Sequence, residues 1–145
     1  MTPERVGKQH LDAIAALEAS VFHAPWSAQA LTLLTGDAGV GFVITEGDLA
    51  LCYGGMMTVL DEGQITNIAT HESARRRGLA TRVLCALIDE ARALGLAQIT
   101  LEVRESNAAA IALYERHGFR VVGKRPRFYT KPVEAALIML CAIGE

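Results

Sequence analysis

Arg75, Arg76 and Arg77 stand directly before Gly78 and a stretch in which Leu79, Val83, Leu84, Leu87, Ile88 and Ala91 fall on one stripe of a long helix. The first N–H groups of a helix have no partner within it, and the helix dipole places positive potential at the same end. A phosphate or pyrophosphate suits such a place. Gly78 lets the backbone approach a ligand closely, and the arginines attract a polyanion from a distance. An arginine run before a helix also occurs as a plain solvated loop. Further along, Gln98 to Arg104 alternates, with Ile99, Leu101 and Val103 against Thr100, Glu102 and Arg104, so Glu102 points away from the apolar face of a strand. Ser106 and Asn107 then offer an N-cap to a second helix. Tyr114, at helical spacing from Ala110 and Ile111, reads in isolation as a core aromatic with a wet hydroxyl.

These residues need a scaffold. Leu11, Ile14, Leu17 and Val21 recur at helical intervals from Gln9 to Val21, and after Pro25 and Trp26, Ser27 caps a second helix through about Leu34, closed at Gly36 and Asp37. Gly41 to Thr45, Leu49 to Leu60 and Gln64 to Thr70, separated by turns at Gly47-Asp48 and Asp61-Glu62-Gly63, predict an antiparallel three-stranded meander. The long helix follows, with Gly95 as its C′ residue, then the strand Gln98 to Arg104 and a helix Ala108 to His117 ended by Gly118. Phe119 to Gly123 and Ala136 to Cys141 are the last two strands, with Lys124 to Pro132 as the loop between them. The unit from Gln64 to Arg104 is strand, crossover helix, strand, which makes its two strands parallel neighbours. The fold class is therefore α/β (α+β), a mixed sheet with helices on both faces.

The 145 residues carry 14 Lys plus Arg against 16 Asp plus Glu, a net charge of −2, which argues against a nucleic-acid partner. Hydrophobic residues make up 51%, yet the longest apolar stretch, Ala135 to Ile143, is too short to span a bilayer. The start of the chain has no basic segment followed by an apolar core, so a cytoplasmic location is expected. Cys52, Cys85 and Cys141 are an odd set among apolar neighbours, and His10, His23, His71 and His117 show no ligand spacing; no metal is expected. With no repeat, linker or low-complexity tract, residues 1–145 read as one domain.

The run from Leu101 through Glu102, Asn107 and Tyr114 to Phe119, taken with Pro25-Trp26-Ser27, Asn67-Ile68-Ala69 and Arg75 to Ala80, resembles the GNAT acyl-CoA N-acyltransferases. Within them it is most similar to the RimI-type enzymes, which acetylate the N-terminal alanine of a small-subunit ribosomal protein. The resemblance covers most of the chain. It implies a mostly antiparallel sheet of six to seven strands with one splayed parallel pair, formed by Gln64 to Thr70 and Gln98 to Arg104. It also implies acetyl-CoA as co-substrate, its pantetheine along Ile68 and Ala69 and its pyrophosphate on the loop of Arg75, Arg76, Arg77, Gly78, Leu79, Ala80 and Thr81. Amides of such an arm can pair with free strand N–H and C=O groups.

By the same resemblance Glu102 is the general base, helped by desolvation in a cleft, and Tyr114 the general acid near the departing sulfur. A main-chain N–H near Ile68 or Ala69 polarises the thioester carbonyl, and Asn107 contacts the coenzyme, caps a helix, or both. His71, at a strand end, is an alternative base. Trp26 and Tyr129 frame the acceptor, expected to be a protein N-terminus. The chain departs from the family in two places. Ala80 stands where a second glycine is common, and the late loop carries Phe128-Tyr129 for paired tyrosines, with Ala135 where an acid is expected. A lysine side chain or small amine as acceptor, and a non-catalytic acyl-CoA sensor, are the competing readings.

Overall fold

The computed structural model describes residues 1–143; positions 144 and 145 of the expected domain lie outside the described residues. Seven strands make one sheet: β1 (Glu4–Arg5), β2 (Gly39–Glu46), β3 (Leu49–Val59), β4 (Glu62–Thr70), β5 (Gln98–Arg104), β6 (Arg120–Tyr129) and β7 (Glu134–Ala142), in the order β1-β2-β3-β4-β5-β7-β6. Among the described residues only β4 and β5 are parallel neighbours. Four α-helices accompany them among the described residues: α1 (Leu11–Val21), α2 (Ala28–Leu31), α3 (Leu79–Ala93) and α4 (Ala108–Arg116).

The stripe read for the long helix is buried in full on α3. Burial of each large aliphatic side chain there contributes about 1.5–3 kcal/mol. Gly95 closes the helix as C′ at φ 73°: its N–H bonds to the Arg92 carbonyl at 3.0 Å and the Leu96 N–H to that of Ala91 at 3.0 Å, a Schellman pair. Two separate cores result, one joining α3 and Tyr114 of α4 to the sheet, the other holding α1 and α2 with Val43, Ala50, Tyr53 and Ala69. Adjacent glycines of β3 permit both packings. A Cβ on Gly54 would sit 2.7 Å from Val83 of α3, and one on Gly55 would sit 2.9 Å from Leu34.

The structure corrects several boundaries. The segment expected as a loop, Lys124 to Pro132, is mostly strand, since β6 continues to Tyr129 and pairs with β7 through Arg125↔Ala136 and again at Tyr129↔Glu134. Its lysine, arginines and proline are tolerated because β6 lies at the sheet edge, where charges and proline also discourage pairing with other chains. The helix expected to run to Leu34 shortens to α2 plus a 3₁₀ turn over Thr32–Thr35, with the Ser27 hydroxyl accepting from the Ala30 N–H at 3.1 Å. Glu62 and Gly63 belong to β4 rather than to the preceding turn. The two-residue β1, paired with Val43 and Phe42, has too short a signal to be read from sequence.

Candidate active site

The parallel pair separates almost as soon as it forms. β4 and β5 are in register only at Glu62↔Gln98, Gly63↔Ile99 and Gln64↔Thr100, whereas β5 keeps its pairing with β7 along its whole length. Glu62 clasps the closed end, its carboxylate accepting from Gln98 Nε2 and Thr100 Oγ1, both at 2.8 Å. Those bonds hold the Glu62 carboxyl below its usual range. Just beyond, a bulge in β4 leaves Thr66 without a partner between Met56↔Ile65 and Gly55↔Asn67. A bulge bends and twists its strand, and here it falls where β4 leaves β5.

The gap is a cleft of about 470 Å³. Ile65 to Ile68 of β4 line it, as do Leu101 to Arg104 of β5 across the gap; α4 adds Ala110 and Tyr114 and its N-cap Asn107, the α1–α2 connection Trp26, and the end of β6 Phe128 and Tyr129. Six of the site residues expected from sequence, Trp26, Ile68, Glu102, Asn107, Tyr114 and Tyr129, thus meet around one cavity. Ala69 does not: its side chain is buried in the α1 core, leaving only main-chain groups to offer. His71 lies outside the cleft and caps a short turn through Ser73.

Glu102 is the exposed residue of β5, as the alternation required, but its side chain is 39% exposed and lies 3.3 Å from the Arg125 guanidinium. Tyr114 is 8% exposed, its ring 5.7 Å from that of Phe119, and burial pushes its phenol up to about 12, with Tyr129 and Cys52 adding to the shift. Tyr129 is half-buried beneath the Arg104 guanidinium, 4.5 Å from the ring centre. Asn107 caps α4, Oδ1 accepting from the Ala110 N–H at 3.1 Å, and lines the cleft as well.

The arginine loop lies apart from the cleft walls. Arg76 and Gly78 adopt left-handed conformations, φ 66° and 74°, and the N–H groups from Arg76 to Thr81 find no acceptor among the described residues. Leu79 is anchored in the core by its side chain, while Arg75, Arg76 and Arg77 are exposed. Unpaired main-chain nitrogens at the head of a helix can receive an anion.

A family model described as the acetyltransferase (GNAT) family matches residues 11–119, which include the arginine loop, α3, α4 and all of the cleft lining except its β6 end and Thr130. The chain belongs to the GNAT acetyltransferase family. GNAT members use acetyl-CoA as co-substrate, and this chain is an acetyl-CoA-dependent N-acetyltransferase. Among GNAT relatives, the [ribosomal protein bS18]-alanine N-acetyltransferase of Escherichia coli K12 is 38% identical over 122 residues, 83% of this chain and 82% of that protein. The enzyme of that name from Haemophilus ducreyi is 30% identical over 89% of each chain. The crystal structure of the ribosomal-protein-S18-alanine N-acetyltransferase from Escherichia coli superimposes with a TM-score of 0.90 at 35% identity, covering 99% of this chain and 94% of that one.

Acetyl-CoA suits the GNAT site on this structure's own terms. Free strand edges flank the cleft beyond Gln64, unpaired main-chain nitrogens lie at the α3 head, and the buried Thr66 hydroxyl in the cleft has no partner among the described residues. Two acidic residues that brace the walls of this GNAT site from outside the cleft were not foreseen. Glu134 accepts from the Ser106 N–H at 2.6 Å and from Arg104 at 3.2 Å, tying β7 to the start of α4. These partners, Ser106 foremost, hold its carboxyl below the usual range. Glu18, fully buried, accepts from the Trp26 N–H at 2.9 Å, from Asn67 Nδ2 at 2.8 Å and from the Tyr53 hydroxyl. A carboxylate on the apolar stripe of α1, four residues after Ile14, was the available signal.

Proposed function

We propose that this enzyme acetylates the N-terminal α-amine of a protein, an alanine at the start of a small-subunit ribosomal protein, in a ternary complex with acetyl-CoA. The observation that carries the reading is that Glu102 and Tyr114, a carboxylate and a phenol from different elements, line the same cleft as the free edge of β4. The bS18-alanine relatives supply the substrate class. A cytoplasmic location and a single domain over 1–145 belong to the same reading; among the described residues no helix is long and apolar enough to cross a membrane.

The thioester supplies an activated acetyl group when bound. Arg75, Arg76, Arg77 and Gly78 attract and admit the pyrophosphate, and the N–H groups through Leu79, Ala80 and Thr81 bond it. Ile68 and Ala69 offer main-chain groups to the pantetheine, and one of their N–H groups polarises the thioester carbonyl. Asn107 contacts the same arm with its free amide nitrogen. Trp26 and Tyr129 flank the entering N-terminus. Glu102 takes the proton of the α-ammonium, directly or through a water, which frees the nitrogen lone pair for attack. Tyr114 would donate a hydrogen bond to the sulfur as the C–S bond breaks, and the second nitrogen proton, shed as the amide forms, would pass to that sulfur or to solvent. With the phenol's pKa pushed up to about 12, full loss of its proton to a thiolate of roughly 8.5 runs uphill by about 5 kcal/mol, so it shares the proton rather than surrendering it.

The test is acetylation of an alanine-starting peptide and of the same peptide blocked at its N-terminus but carrying a lysine, read by mass spectrometry. Transfer to the free α-amine alone is expected. Transfer to the lysine of the blocked peptide would reassign the enzyme to side-chain amines, and tight acetyl-CoA binding without transfer to any amine would make it a sensor.

A further inference from the structure

The buried Glu18 does more than pack. It is 0% exposed, and its three partners are all donors: a main-chain N–H, a phenol and an amide NH₂. No cationic side chain pairs with it among the described residues. A buried carboxylate kept without a counter-cation is costly, so its position asks for a reason beyond packing. Its partners lie on three separate segments, the α1–α2 connection, β3 and β4, and two of them, Trp26 and Asn67, line the cleft.

The chemistry of the carboxylate sets the orientation of Asn67. A carboxylate offers only acceptors, so the Asn67 amide must turn its NH₂ toward Glu18 and its carbonyl oxygen away. That oxygen has no donor among the described residues, and Asn67 stands beside the β4 bulge in the wall opposite Glu102. A neutral primary amine attacking a carbonyl directs its lone pair forward and has two N–H groups left to satisfy. We infer that Asn67 Oδ1 accepts one N–H of the acceptor amine while Glu102 serves the other, and that Glu18 is the positioning residue that holds the Asn67 carbonyl toward the cleft. This rests on the acetylation of an amine proposed above, and deepens it by naming what selects and orients that amine.

Asn67→Ala removes the acceptor. Loss of one such hydrogen bond should raise the peptide KM about three- to tenfold, with little change in acetyl-CoA affinity by calorimetry. Glu18→Gln keeps the Trp26 bond through its amide oxygen but presents a donor to Asn67, which then favours the flipped amide; its KM should rise similarly. Because Glu18 acts through Asn67, Glu18→Gln should add nothing to the KM in the Asn67→Ala background, whereas a merely structural role would add in full. An unchanged peptide KM in Asn67→Ala overturns the inference, as does weakened acetyl-CoA binding with peptide KM intact, which would give the carbonyl to the coenzyme. Additive effects in the double variant overturn the role of Glu18. If wild type acetylates another amine instead of the alanine peptide, the proposed function fails, and the same comparison is made on the amine that reacts; an enzyme acting on no amine overturns both.

Discussion

Arg125 Nη1 lies 3.3 Å from Glu102 Oε2, so the carboxylate proposed as base meets a guanidinium before it meets an ammonium. Both side chains are well exposed, and such pairs contribute little to stability. Arg125→Ala should leave the unfolding free energy within about 0.5 kcal/mol of wild type. It should raise kcat/KM for a cationic peptide N-terminus by up to about fivefold, with the gain shrinking as salt is added. Steady-state kinetics at two ionic strengths checks this; a fall in kcat/KM would mean that Arg125 assists the base.

Tyr114→Phe removes the proposed donor to the sulfur and keeps the ring against Phe119. Turnover should fall by about tenfold or more, the loss of one hydrogen bond to a developing thiolate, with acetyl-CoA affinity unchanged by calorimetry. Because the phenol stays protonated until about 12, wild type should show no alkaline limb from this group through pH 10. Intact turnover in the variant would remove Tyr114 from the mechanism.

The same burial makes the fold sensitive to alkali. The folded pKa of Tyr114, about 12, is above its unfolded value near 10, so its contribution is complete below pH 10 and is lost as pH rises through 12. Two units correspond to about 3 kcal/mol. Tyr53, pushed up by burial and by Glu18, works in the same direction. Thermal unfolding of wild type should therefore drop in temperature from pH 10 upward, and Tyr114→Phe should flatten that drop. An identical slope in the variant would count against the buried phenol as its source.

Gly78 has φ 74° and open space where a Cβ would point, so backbone strain and charge can be separated there. Asparagine tolerates the left-handed region and aspartate resembles it in shape while adding a negative charge. Gly78→Asp should bind acetyl-CoA about tenfold more weakly than Gly78→Asn, a charge effect that salt reduces. Equal affinities would place the pyrophosphate elsewhere.

What could be read in the chain beforehand depended on how locally each feature is encoded. α3 was legible because six apolar residues and Gly95 state its face and its end within one segment. Glu102 was legible because β5 alternates cleanly. β6 was not, because an edge strand carries the lysine, arginines and proline that elsewhere mark a loop. The Thr66 bulge depends on the register between β3 and β4, and no single segment encodes that. Glu18 hid in plain view: an acid on an apolar stripe looks like an interruption until Trp26, Tyr53 and Asn67 are brought to it from distant positions.

The three-pair seam between β4 and β5 divides the sheet into a plate of four strands and a plate of three. A molecule whose amides bond to both free edges supplies the rungs the protein leaves out and ties the plates together. Saturation with acetyl-CoA should then slow amide hydrogen exchange on each side of the gap, far beyond the atoms it touches, so the substrate would also serve as the missing stitch of its own enzyme.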